Sequence, residues 1–279
     1  MDFVLVNGVP SSKKDANPGR FLWNSSVVIS QDIWFGFGGI PLLNENLDNI
    51  QSQLQSLSYE LPPLFNNRRE IFRLFKRLLN KNKYYRSGYL HLKILVSDQE
   101  SNWLLEATNY EGFEFPNREQ GLLTQISPFQ KFSGAPFGRL LCHNRLFWLA
   151  AETKNEAGSL SRSIFTNEKG QVCDARGANI FLAKNGVLHT PSLDTGCYGD
   201  LIRRIVIEQA TALKIPLIES NEIDEKKLLA ADEIFLASEA RGIEWIMGIG
   251  TKRFVRNYSL IIHENVNAHL QVRAQKQLL

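Results

Sequence analysis

The turn Gly196-Cys197-Tyr198-Gly199-Asp200 runs directly into an apolar-periodic stretch that starts at Leu201 and reads as a helix to Lys214. The start of a helix carries four unpaired backbone N–H groups and the positive end of the helix dipole, so a glycine-containing turn of this kind can hold an anion. Asp200 is itself a good N-cap. Its carboxylate would take up those donors and repel a phosphate, by about 1 kcal/mol per pair of unit charges at 4 Å even in water. A second acid, Asp174, can pair with nearby Arg176. Cys142 and His143 are adjacent, and they read as packing and a strand-end hydrogen bond.

Composition bounds what these groups can serve. A chain of 279 residues, 43% hydrophobic and 22% charged, suits a globular protein of one large domain or two modest ones. Its formal charge of +3 and pI near 8.7 are too mild to argue for nucleic acid or membrane as partner. Cys142, Cys173 and Cys197 are odd in number and lack paired spacing, so they read as free thiols in a reducing compartment, without a disulfide or zinc site. The start Met1-Asp2-Phe3-Val4 is unlike a signal peptide. No apolar run approaches the ~18 residues of a membrane span, and a cytoplasmic location is expected.

The elements that must position these groups follow from periodicity. Short β-rich runs to about Ile40 precede Leu43, Leu47, Ile50, Leu54 and Leu57, whose spacing of three and four makes one helical face. A second helix, from about Arg68 to Leu79, turns Ile71, Phe72, Leu74, Phe75, Leu78 and Leu79 inward. Arg69, Arg73, Lys76 and Arg77 point outward. Such a basic face can meet nucleic acid or lipid, but a sheet-packing helix with a solvated face is the simpler reading. Strands over 89–96 and 102–107 complete a first α/β unit. The polar segment from Phe115 to Ser127, with Gly121 in it, is read as the link between domains. Beyond it come a helix near 145–154, strands at 163–165 and 179–183, and a hairpin signal at Lys184-Asn185-Gly186. Strands at 187–190, 216–219, 233–238 and 243–246 and a terminal helix over 259–275 close the chain.

Three segments then carry a resemblance. Gly170-Gln171-Val172-Cys173-Asp174-Ala175-Arg176-Gly177-Ala178-Asn179-Ile180-Phe181 is similar to G-x-V-x-E-x-x-x-S-N-I-F. Thr190-Pro191-Ser192-Leu193-Asp194-Thr195-Gly196-Cys197-Tyr198-Gly199-Asp200-Leu201-Ile202-Arg203 is similar to T-P-x-L-x-x-G-I-L-P-G-I-T-R. Ala231-Asp232-Glu233-Ile234-Phe235-Leu236-Ala237-Ser238, with Gly242-Ile243 following, is similar to A-D-E-V-F-L-T-N and its G-I. In this order and spacing they resemble the class IV aminotransferase and 4-amino-4-deoxychorismate lyase family, pyridoxal-phosphate (PLP) enzymes of fold type IV. The resemblance implies an α/β (α+β) fold of the D-amino-acid aminotransferase-like kind in two domains. These are expected as a smaller N-terminal domain over 1–118, an interdomain loop over 119–126 and a larger C-terminal domain over 127–279. It also implies a homodimer, the usual state of the family.

The resemblance further implies a lysine that forms an imine with the cofactor and shuttles a proton at the substrate. The family's P-L-S-R-L-K-x-x-N-x-L aligns without a gap on Pro136-Phe137-Gly138-Arg139-Leu140-Leu141-Cys142-His143-Asn144-Arg145-Leu146, and the lysine falls on Leu141. Lys131 is roughly 33 Å away along an extended chain and Lys154 roughly 20 Å along a helix, so neither substitutes unless the chain folds back. Asn49 stands for the arginine that pairs with the phosphate, Ile202 and Ala237 for threonines, and Asp200 for a glycine. Leu201 and Ser238 complete the implied cofactor positions. Asp174 keeps the charge of the glutamate that meets the pyridine nitrogen, and Asp98 replaces an arginine available to a substrate carboxylate. Asn179 and Arg203 match the family but read as a turn or strand contact and a surface or dimer pairing.

The expectation is therefore an aminotransferase- or lyase-like protein without Schiff-base catalysis and without PLP. It would be kept as a dimeric scaffold, with itself or with a catalytic paralogue, or as a binder of another small molecule, with no metal, nucleic acid or membrane partner. The alternative is a working PLP enzyme, a 4-amino-4-deoxychorismate lyase or a branched-chain or D-amino-acid transaminase, that uses a non-standard lysine such as Lys131. That alternative needs a lysine Nζ facing Asp174, whereas an apolar wall at Leu141 counts against it.

Overall fold

The computed structural model describes residues 2–16, 27–96, 101–135, 138, 141–152 and 162–277. The chain divides into two compact units, one of Met1–Phe115 with Ala268–Leu279 and one of Pro116–Asn267.

In the first unit, β1 (Phe3–Val6), β2 (Val9–Ser12), β3 (Val27–Phe35), β4 (Ser87–Val96) and β5 (Ser101–Tyr110) form an antiparallel sheet of order β2-β1-β5-β4-β3. Helices α1 (Leu43–Ser56) and α2 (Arg68–Lys81) pack on it. Leu43, Leu47, Ile50 and Leu54 of α1 and Ile71, Phe75, Leu78 and Leu79 of α2 share one buried cluster with Leu90, Leu92, Ile94, Trp103 and Leu105 of the sheet. Period-3.6 and period-2 patterns thus meet along one apolar layer. The basic side of α2 faces away from it: Arg69, Arg73 and Arg77 are exposed. Lys76 Nζ donates to the Gly38 carbonyl at 2.6 Å. The inward face of this helix is the expected one.

The second unit holds β6 (Asn117–Lys131), α3 (Leu141–Glu152), β7 (Ser163–Asn167), β8 (Val172–Ala175), β9 (Asn179–Lys184), β10 (Val187–Pro191) and α4 (Leu201–Ala212). It continues with β11 (Leu217–Ser220), α5 (Glu225–Leu229), β12 (Glu233–Ser238), β13 (Gly242–Ile249) and β14 (Lys252–Arg253). Helix α6 (Tyr258–Lys276) begins among the residues of the second unit and ends among those of the first. The sheet has the order β11-β10-β9-β12-β13-β6-β7-β8, with β14 beside β13. It is mixed: β10–β11, β6–β13 and β6–β7 are parallel and the other pairs antiparallel.

Two sequence expectations change here. Residues 119–126 are not a loop but lie inside β6, and the units part at Phe115/Pro116, with residues 268–279 returning to the first unit. Gly121, read as a linker signal, is a packing glycine. A Cβ there would fall 2.6 Å from both the Trp245 ring and Met247 Cβ on neighbouring β13. Helix α3 begins at Leu141 rather than near Arg145, so Cys142 and His143 stand in a helix and not at a strand end. Their side chains, along with Asp98 and Lys154, lie outside what is described.

Several motif residues hold the fold together. Asp232 accepts from Lys184 Nζ at 2.8 Å and Asn185 N at 3.0 Å. These bonds fix a two-residue hairpin in which Asn185 and Gly186 both have positive φ. Fully buried Glu233 accepts the N–H groups of Asn257, Tyr258 and Ser259 and so caps α6.

Candidate functional site

Asp174 sits on β8 with no exposed surface, opposite Phe165 of β7. Its Oδ2 accepts Lys131 Nζ at 2.6 Å and the Tyr198 N–H at 2.8 Å. Lys131 is 6% exposed, so both partners of this ion pair are buried. The charge partner of Asp174 is therefore Lys131 and not Arg176. The chain does fold back. β6 runs parallel to β7, Lys131 lies in register with Asn167, and a bulge between Ile126 and Gln130 re-aims the strand end. Phe129 N donates to Ser127 Oγ at 3.0 Å within that bulge. Ten residues separate Lys131 from Leu141 along the chain, but Asp174, which holds Lys131, is bonded to Tyr198 N and opposite Phe165, both in the cluster around Leu141. Pro128, inside a strand run, was the available signal, because proline is tolerated in a strand at bulges and edges.

Leu141 is 7% exposed and packs in a buried cluster with Trp148, Phe165 and Tyr198, with Phe129 and Phe147 against them. The Trp148 and Tyr198 rings meet edge-on at 5.9 Å, and Phe147 and Phe165 at 5.1 Å. Because Phe165 is the strand partner of Asp174 and Tyr198 gives it an N–H, this apolar wall adjoins the ion pair.

The turn ahead of α4 is fixed by its own side chains. Asn179 Nδ2 donates to the Tyr198 carbonyl, and its Oδ1 accepts Asp200 N at 2.9 Å. Asn179 is thus a turn contact, one of the two roles left open for it. Asp200 Oδ1 accepts Ile202 N at 2.8 Å and Glu239 N at 3.0 Å. It joins the helix start to the residue that follows β12. The residue as a whole is half-buried, but its carboxyl is enclosed. Burial pushes that carboxyl up to about 6, against the opposing pull of the two N–H groups. No residue pattern pointed to the Glu239 N–H as a donor.

The remaining implied positions are placed as follows. Ile202, Ala237 and Ser238 are fully buried, and Ser238 Oγ and Asp174 Oδ1 have no hydrogen-bond partner among the described residues. Leu201 is half-buried. Asn49 is half-buried on α1, in the first unit, whereas all the others belong to the second. Arg203 is not a surface group. It is 6% exposed, and its pairing is internal: it donates to the Pro191 carbonyl at 2.9 Å and to Glu219 Oε2 at 2.6 Å. Cys173 and Cys197 are not poised as nucleophiles. Burial, then the Asp174 charge, pushes Cys197 up to about 11, and the same causes raise Cys173. Another buried carboxylate went unnoticed in the sequence: Glu244 on β13, 3.0 Å from Arg162 and 3.8 Å from Arg118. Burial raises it to about 7. Among the described residues no group of His, Cys, Asp and Glu could hold a metal ion. No described helix is long and apolar enough to cross a membrane.

Known proteins match this arrangement along most of the chain. The model of the family Amino-transferase class IV matches residues 37–246. An aminodeoxychorismate lyase of Bacillus subtilis is 27% identical over 251 residues, 84% of this chain and 82% of its own. A probable branched-chain-amino-acid aminotransferase of Thermotoga maritima is 42% identical over 74 residues, 26% of this chain. That match covers 27% of the relative, and a separate match of 93 residues at 32% identity covers 30% of a probable branched-chain-amino-acid aminotransferase of Synechocystis. Among solved structures, a branched-chain aminotransferase from Thermoproteus uzoniensis with norvaline superimposes with a TM-score of 0.84 at 20% identity, covering 99% of this chain and 97% of its own. A T.th. branched-chain amino acid aminotransferase complexed with N-(5'-phosphopyridoxyl)-L-glutamate gives a TM-score of 0.83 at 16% identity, covering 99% and 96%. The mixed α/β architecture is that of these fold-type IV structures, and the chain belongs to the class IV aminotransferase family.

Proposed function

We propose that this chain is an aminodeoxychorismate lyase- or aminotransferase-like member of its family that does not carry out Schiff-base catalysis. It acts in the cytoplasm as a dimeric scaffold, with a second copy or a catalytic paralogue, or as a binder of another small molecule. The observation that carries the reading is Leu141, which stands where the family's lysine belongs and is packed among Trp148, Phe165 and Tyr198. An imine requires an amine at that position. PLP also fits poorly in two further respects. A cation is already supplied to Asp174 by Lys131, although Asp174 Oδ1 has no partner among the described residues, and the Ile202 N–H is already held by a carboxylate. A phosphate added beside Asp200 would meet a like charge.

A second reading has one observation in its favour. Lys131 Nζ lies inside the unit against Asp174, as a working PLP enzyme with a non-standard lysine requires. An amine bonded to that carboxylate is a paired charge rather than a free nucleophile, and the first reading is preferred. Absorbance spectra with added PLP, before and after borohydride, followed by peptide mapping, separate the two. The expected outcome is no aldimine band and no reducible adduct. An adduct on Lys131 would establish the second reading.

A further inference from the structure

We propose that the chain fills its own cofactor site: the Lys131 ammonium takes the place of the cofactor's ring nitrogen at Asp174, and the Asp200 carboxylate takes the place of its phosphate at the start of α4. The inference rests on the reading above and extends it from a missing lysine to an internal occupant.

Two independent pieces of geometry carry it. The resemblance assigns the Asp174 position to a carboxylate that meets a cationic ring nitrogen. In this chain that carboxylate meets a cation supplied from β6, with a 2.6 Å bond between two buried groups. The resemblance assigns the turn before α4 to an anion held by backbone N–H groups. There, Asp200 supplies an anion that accepts one N–H from the helix, Ile202, and one from beyond β12, Glu239. Both substitutes have the charge of the group they replace, cation for cation and anion for anion. Asp200 also satisfies two N–H groups that would otherwise be buried and unpaired, and Lys131 offsets the buried charge of Asp174, whose Oδ1 keeps no hydrogen-bond partner among the described residues. Between them the two groups tie β6 to β8 and α4 to the end of β12. Leu141 and its aromatic neighbours adjoin the Asp174 end. These ties join residues far apart in the chain, 43 positions for Lys131 with Asp174 and 39 for Asp200 with Glu239. A ligand bridging the same elements would make both unnecessary.

The test is to put the amine back and to remove the occupants separately. Leu141→Lys alone is expected to bind PLP at least tenfold more weakly than Leu141→Lys combined with Lys131→Met and Asp200→Gly. Only the combined variant is expected to give a borohydride-stable adduct mapped to position 141. Equal PLP binding by the two variants overturns the inference. An adduct in the unmodified chain on a lysine other than Lys131 overturns the reading of the previous subsection instead. Should the combined variant fail to fold, Asp200→Gly alone is assayed with inorganic phosphate. Its Tm is expected to rise with phosphate while that of the unmodified chain does not, and an equal response in both overturns the inference.

Discussion

Lys131 and Asp174 are each buried, and each is the other's charge partner. Removing one partner of a buried ion pair leaves an uncompensated charge in a poorly solvating interior, which costs about 3–5 kcal/mol. Lys131→Met is therefore expected to lower unfolding stability by that amount in denaturant titration. Adding Asp174→Asn should recover most of the loss, because the amide removes the charge and keeps an acceptor for the Tyr198 N–H. If Lys131→Met alone were neutral, the pair would have no part in stability. The three residues of this centre were legible to different degrees. Asp174 and Leu141 stood out by type and position, whereas the role of Lys131 depended on a bulge that residue type alone does not display.

Among the elements, the start of α4 is held by its own cap, Asp200. The Asp200 carboxyl is pushed up to about 6 by burial, above its usual value of 3.8. The folded state thus binds this proton more tightly than the unfolded state. The contribution to stability is fully present below pH 3.8 and is lost as pH rises through about 6. Asp200→Asn keeps an N-cap but cannot ionise. Its stability relative to the unmodified chain is expected to rise between pH 4 and 6, by at most about 1.4 kcal/mol per pH unit. A flat difference across that range would show that Asp200 titrates normally. Periodicity made most elements legible: α1, α2, α4 and α6, the β9–β10 hairpin and β12 follow their expected spans. β6 was not, because its polar residues and Gly121 mimic a loop until Trp245 and Met247 are seen packed across it. The start of α3 was missed for a related reason, since Leu141 is buried by aromatic side chains from other elements as well as its own helix, not by a local pattern.

For the molecule as a whole, the proposed homodimer predicts sedimentation at twice 31.8 kDa. A single species at 31.8 kDa, unchanged on mixing with a catalytic relative, would remove the scaffold reading and leave the small-molecule binder. Residue types and their spacing were enough to give the family, the alternation of helix and strand, and an apolar side chain at position 141. They also gave Asp200 as the cap at the start of α4, but not Lys131 on Asp174 nor the Glu239 N–H as a second donor to Asp200. The last two contacts join residues far apart in the chain. They are set by strand register, a bulge and the turn before α4, and no local pattern of residues encodes them.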